Sequence, residues 1–195
     1  MPLDAIFFFF FEELKAPRAG TELMGPLLYN LIRTTRPQKL LEVGMGYTTP
    51  FILEALKDNI KDSNTEKKLL ELKSKKFLNA LKGTGKIDFT KNSQTLLLMD
   101  KYQPVLHAID NYSSDKSFAN QVKCILENMQ FHDLFKIHNK NFHNLSEHLD
   151  PHIFPFDFVW FDCGGLDDYK NFLEEYWDKI DSEGGYLLLH CTLNR

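Results

Sequence analysis

The sequence predicts a doubly wound α/β fold, a parallel five-stranded sheet with helices on both faces. Three observations carry the prediction. Five short apolar runs alternate with longer stretches whose apolar residues recur at helical spacing. The clearest runs (Leu40, Leu41 and Val43, then VLHAID, then FDFVWFDC) are nearly continuous in hydrophobic character, as in strands buried on both faces. The first run ends in Gly44 and Gly46 and passes through Thr48, Thr49 and Pro50 into a helix, with a Thr as N-cap and the proline in the first turn, where a missing N–H costs nothing. Strands joined by right-handed helical crossovers form a parallel sheet.

The elements follow in order. Residues 1–20 are an apolar N-terminal segment containing IFFFFF, far shorter than the roughly 20 apolar residues that cross a bilayer. It lacks a basic region before the apolar run and is expected to cover the mouth of a site or to meet a partner chain. A helix begins at Thr21, or a turn later given Gly25-Pro26, carries Leu23, Met24, Leu27, Leu28, Leu31 and Ile32, and stops at Arg36-Pro37. Strand one, the glycine turn and its helix come next. Residues 58–103 read as an insertion: Ser63-x-x-Glu66 has the form of a capping box for a separate helix with Leu69, Leu70, Leu72, Phe77, Leu78 and Leu81. Its lysines read as a solvated face, and Gly83-Thr84-Gly85 ends it before an apolar knot at Leu96–Met99.

Strand two is Pro104–Asp110, and Ser113 or Ser114 caps a helix carrying Phe118, Val122, Ile125, Leu126 and Met129. Strand three is Phe135–Asn141, followed by a short helix or loop over Asn144–Pro151. Strand four is Phe156–Cys163, and Asp167 caps a helix striped by Tyr169, Phe172, Leu173, Tyr176 and Ile180. Ser182–Gly185 turns the chain into strand five, Tyr186–His190.

Size and composition narrow the function. At 195 residues the chain reads as a single domain, 1–195, and 43% hydrophobic with 26% charged residues is the balance of a soluble globular protein with no membrane span. A net charge of −4 gives no general attraction to nucleic acid, for which the lysines of the insertion are the only support. Three scattered cysteines, Cys124, Cys163 and Cys191, make no disulfide framework or zinc knuckle and fit a reducing, cytoplasmic setting.

Ligands of doubly wound sheets bind beyond the carboxyl ends of the strands. That rule selects Glu42, Gly44 and Gly46 from strand one, Asp110 from strand two, Asn141 from strand three, Asp162 and Cys163 from strand four, and His190 and Cys191 from strand five. The glycine turn by itself is also compatible with an ordinary strand-to-helix turn, and Thr49 stands where a dinucleotide fingerprint has its third glycine. Asp110 has the chemistry to accept hydrogen bonds from a ribose diol, or else simply starts a turn. A carboxylate at the end of a buried central strand is costly unless it binds something, which singles out Asp162. His190 is the best general base by residue type, or else a satisfied histidine at the rim.

The Glu42-x-Gly44-x-Gly46 signature and the run GYTTPFILEAL resemble class I S-adenosylmethionine (SAM) methyltransferases, most closely the small-molecule O-methyltransferase branch. The resemblance implies a Rossmann-like sheet in the order 3-2-1-4-5, with SAM as cofactor at the switch between strands one and four. It places Glu42 near the amino group of SAM, the Thr48 hydroxyl, which replaces a glycine, at the methionine carboxylate, Asp110 on the ribose, and Asn141 at the adenine edge. In catechol-type members an Asp at the position of Asp162 ligates a divalent metal, helped by an Asp-Asn pair ending the next strand. Here that pair is His190-Cys191, so the magnesium site is expected to be lost and no metal is expected, the alternative being a softer ion held by Asp162 and His190. His190 is then the base, with Asp162 orienting it or binding the amino group of SAM; His143 lies near the adenine end. The implied activity is methyl transfer from SAM to a small-molecule hydroxyl or amine. The alternatives are a catalytically impaired binding or assembly protein on the same fold, and a SAM-using enzyme of another reaction type. The sequence stops a few residues after strand five, short of the family's C-terminal antiparallel strands: either it is a truncated form, or the edge of strand five is expected to be covered by a second copy in a homodimer, by the N-terminal segment or by the insertion.

Overall fold

Alternation along the strands decides which side chains form each layer. The structure is a computed structural model that describes residues 14–15, 20–80, 101–112, 118–128, 131 and 133–190. In β1 (Lys39–Val43), Leu40 belongs to one apolar layer while Leu41 and Val43 belong to the other. β2 (Val105–Asp110) divides likewise, Leu106 and Ala108 against Ile109, and β4 (Phe158–Phe161) divides into Phe158 and Trp160 against Val159 and Phe161. With β3 (Phe135–Asn139) and β5 (Tyr186–Leu189) these strands form one sheet in the order β3-β2-β1-β4-β5, and every pairing is parallel. That is the order the resemblance implies. β1 lies at the centre, where Glu42 is in register with Ala108 on one side and Trp160 on the other.

Helices α1 (Met24–Thr35), α2 (Thr49–Ala80) and α3 (Ala119–Asn128) contribute Leu28, Ile32, Phe51, Leu53, Leu56, Val122 and Leu126 to the first layer. Helix α4 (Leu166–Tyr176) and the loop of Phe142, Leu145 and Leu149 cover the second, with Phe172 and Tyr176 fully buried. Burial of each such aromatic contributes about 2–3 kcal/mol. α1 starts a turn after Thr21, as Gly25-Pro26 suggested, and ends at Arg36 in the left-handed conformation.

The separate helix expected at Ser63-x-x-Glu66 is not found. One helix runs unbroken from Thr49 to Ala80, with no glycine or proline between Pro50 and Gly83 to break it. The polar residues that looked like a boundary instead face α1: Arg33 donates to Asp62 and to the buried Asn59, Arg36 makes a bidentate pair with Glu66, and Tyr29 donates to Asp58. α4 is capped by Gly165 rather than Asp167. Asn141 lies two residues past β3, and His190 lies one residue past β5. The phenylalanine run, Gly83–Gly85, Leu96–Met99, Ser113, Ser114 and Cys191 lie outside the described residues. No helix among the described residues is long and apolar enough to cross a membrane.

Candidate active site

The carboxyl ends of the strands open into a cavity of about 590 Å³. Its floor is the turn from β1 to α2. Gly44 has φ +93, and a Cβ there would lie 2.4 Å from the backbone oxygen of Asp162, so neither the conformation nor the space admits another residue. Gly44 N–H donates to the Ile109 carbonyl, and Asp162 N–H donates to the Val43 carbonyl, which stitches the ends of β2, β1 and β4 together. Gly46 differs: a Cβ on it would meet nothing within 4 Å, so this part of the turn is open to a ligand.

The N–H groups of the turn are less available than a bare glycine turn suggests. Met45 N–H donates to Asp110 Oδ2 at 3.0 Å, and Gly46 N–H donates to Thr49 Oγ1 at 3.1 Å. The other oxygen of Asp110, Oδ1, accepts from Tyr112 N–H at 3.0 Å. Both carboxylate oxygens are therefore held in place by backbone at the cavity wall.

Two expected ligand contacts need correction. Glu42 and Thr48 are buried and do not line the cavity. Strand alternation turns Glu42 into the first apolar layer, next to Trp160 rather than out to the rim. There Thr48 Oγ1 donates to Glu42 Oε1 at 2.9 Å and accepts from Trp160 Nε1 at 3.2 Å. Glu42 Oε2 has no hydrogen-bond partner among the described residues. Burial raises the Glu42 carboxyl to about 8; the Thr49 and Thr48 hydroxyls only partly offset this, and Asp162 and Asp110 add repulsion. The hydroxyl expected at a ligand carboxylate is thus spent inside the protein.

Gly44, Gly46, Asp110, Asn141, Asp162 and His190 do converge on the cavity. His190 Nδ1 meets Asp162 Oδ1 at 2.6 Å, with both side chains largely buried. Burial raises the Asp162 carboxyl, and the charge and hydrogen bond of His190 pull it back. The imidazole lies 5.6 Å from the Trp160 ring, its main-chain N–H donates to the Phe161 carbonyl, and the Tyr169 hydroxyl donates to its carbonyl. The carboxylate of Asp162 is thus bonded to an imidazole and not to the second oxygen ligand that a magnesium site needs, so these residues do not fit such an ion. Among the described residues no cluster of three or more His, Cys, Asp or Glu side chains is placed to hold a metal.

At the opposite end, Asn141 Oδ1 accepts from His143 N–H, and His143 Nε2 meets Asp168 Oδ1 at 3.1 Å with its ring against Phe142. Asp168 Oδ2 also accepts from Gly165 N–H, capping α4. Cys163 lines the cavity, but burial and the neighbouring carboxylates push its thiol up to about 12, which removes it as a nucleophile. Sequence reasoning missed Leu14, Thr21, Tyr47, Asp168 and Tyr169 as lining residues. Asp168, three residues after Gly165 at a helix start, carried a capping signal; Leu14 lies in the segment expected to cover a site mouth, and Thr21 carried no signal.

No protein-family model matches the chain, and no curated protein matches it by sequence. Solved structures do match. The SAH-bound methyltransferase PaMTH1 of Podospora anserina superimposes with a TM-score of 0.59 at 14% identity, over 93% of this chain and 60% of that one. TomG of Streptomyces achromogenes, an O-methyltransferase of tomaymycin synthesis in complex with SAM, superimposes with a TM-score of 0.53 at 18% identity, over 88% of this chain and 57% of that one. The chain therefore spans less than two thirds of the length of either protein, and the likeness shows a shared fold.

Proposed function

We propose that the chain is a SAM-dependent methyltransferase acting on a hydroxyl or amine of a small molecule. The observation that carries this reading is the convergence, in one cavity at the switch between β1 and β4, of an open glycine turn, a backbone-anchored Asp110 and a His190–Asp162 pair. The matched PaMTH1 and TomG structures hold SAH and SAM, which supports the same cofactor here. Gly46 would lie along SAM, Asp110 would accept from its ribose, and Asn141 would stand at its adenine.

When bound, SAM supplies an electrophilic methyl group on a sulfonium; transfer to oxygen or nitrogen leaves the electrons of the broken carbon–sulfur bond on sulfur. The residues of the chain orient the acceptor, exclude water and remove its proton. With Nδ1 bonded to Asp162, His190 takes that proton at Nε2, and Asp162 holds the ring in place and stabilises the imidazolium. Glu42 acts from beneath the floor, fixing Thr48 and Trp160 under the site.

The net charge of −4 supports a small-molecule acceptor over nucleic acid, and the scarcity of cysteine supports a cytoplasmic setting. Calorimetric titration with SAM and SAH tests the reading. Wild type is expected to bind both, and Asp110→Ala to bind neither. Absence of binding by wild type, or undiminished binding by Asp110→Ala, would overturn it.

A further inference from the structure

Strands β2 and β3 bring together two further histidines that the proposed mechanism does not use. Alternation puts His107 on the same face of β2 as the buried Ile109. His107 is in register with Lys136 and Ile109 with His138, so the two imidazoles are diagonal neighbours across the strand pair. His107 Nδ1 meets His138 Nε2 at 3.1 Å, with the rings 14° from parallel and their centroids 5.4 Å apart. His107 is buried, and the Phe156 ring packs edge-on to it at 5.9 Å. Such a bond needs one facing nitrogen to donate and the other to accept, so at least one ring must be neutral. The charged groups that act on the two rings are all cationic: Lys136 in β3, Lys140 just past it and Lys39 in β1. No carboxylate is among them. Burial first, and then these cations, hold both imidazoles below their ordinary value, His107 at about 4.

The strand this pair secures is the one least held by the rest of the sheet. β3 stands at the edge of the order, next to β2 alone, and its apolar hold on the first layer is limited to the partly buried Phe135 and Ile137. Its end also feeds the cavity: Lys140 N–H donates to the His138 carbonyl, and Lys140, Asn141 and Phe142 line the wall. We propose that the His107–His138 pair is an acid-sensitive latch on β3. With one ring neutral it ties the edge strand to β2 and keeps that wall in place; with both rings charged the shared proton is lost, the two cations repel, and β3 loosens before the rest of the sheet. The latch works the same way whatever ligand fills the cavity, so it stands or falls apart from the methyl-transfer reading.

The sign follows from the lowered values. Between the ordinary 6.5 and about 4 the unfolded chain binds protons that the folded pair refuses, so the pair's contribution is complete above 6.5 and is lost as pH falls through that window. The test is amide hydrogen exchange of the full chain from pH 7 to pH 4, read as protection factors that correct for the intrinsic pH dependence of exchange. The amides of β3 are compared with those of β4 in the same sample, and the Cε1–H resonances of His107 and His138 are titrated alongside. In wild type the protection of β3 relative to β4 is expected to fall about tenfold or more, in step with the second imidazole to charge. His138→Gln can still hydrogen bond to His107 but never charges, and its β3 is expected to keep its relative protection down to pH 4. The latch is overturned if β3 stays as protected as β4 at pH 4 in wild type, or if β3 and β4 lose protection together. It is equally overturned if His138→Gln follows the wild-type profile, or if either imidazole titrates above 6.5.

Discussion

Two histidine–carboxylate pairs line the same cavity, and their surroundings give them different work. His190 and Asp162 are 13% and 19% exposed and meet at 2.6 Å; His143 and Asp168 are each 33% exposed and meet at 3.1 Å. The first pair stands over Trp160 at the β5 end, with its backbone tied to β4 and Tyr169. The second links the loop after β3 to the first turn of α4, and its carboxylate also serves as a helix cap. A hydrogen bond shielded from water is electrostatically stronger and fixes the tautomer of the imidazole, whereas a half-exposed pair is screened and contributes about 1 kcal/mol or less. Burial, more than residue type, separates the pair proposed to hold the base from the pair that caps α4.

The sharpest way to break this comparison is to remove each histidine. His190→Gln is expected to lower kcat by about 10²–10⁴-fold, the usual contribution of a general base, with calorimetric SAM affinity retained. His143→Gln should leave kcat within about threefold and act, if anywhere, on SAM affinity. Equal losses of kcat in the two variants would erase the distinction.

A second test concerns the charge beneath the buried pair. Glu42 has its folded pKa raised to about 8 from 4.5, so between those values the native state holds a proton that the unfolded chain releases. Its contribution to stability is complete below pH 4.5, declines as pH rises toward 8, and is flat above it, with a slope of at most about 1.4 kcal/mol per pH unit. Urea denaturation of wild type and Glu42→Gln across that range checks the sign: the variant is expected to lose this downward slope. A wild-type curve that rises from pH 5 to 8 in step with the variant would contradict the assignment.

Gly44→Ala should have a smaller but clear effect, a loss of about 2–3 kcal/mol by urea denaturation, because the methyl meets the Asp162 backbone in a left-handed turn. Asp168→Asn should cost the least, about 1 kcal/mol or under, since Asn can still cap α4.

Much of this layout was legible in the sequence, and the parts that were not share a cause. The apolar runs and the glycine turn are local signals, and strand ends place Asp110, Asp162 and His190 on one rim whatever the rest of the chain does. The paired position of His190 and Asp162 followed from adjacent strands. The fates of Glu42 and Thr48 depended on a partner far away in sequence: the Trp160 indole that fixes Thr48 lies 112 residues on. The continuity of α2 was masked because Glu66 fits a capping box by composition while its carboxylate is claimed by Arg36, 30 residues earlier. Leu14 bore no motif; only the structure places it against the cavity.

The most direct test of the central claim is transfer of a labelled methyl group from SAM to a panel of small hydroxyl and amine acceptors, run in the presence of a metal chelator. The account predicts that wild type labels at least one acceptor and that His190→Gln, although it still binds SAM, labels none above background. A wild-type protein that binds SAM but transfers nothing, or a His190→Gln variant that transfers as fast as wild type, would contradict it.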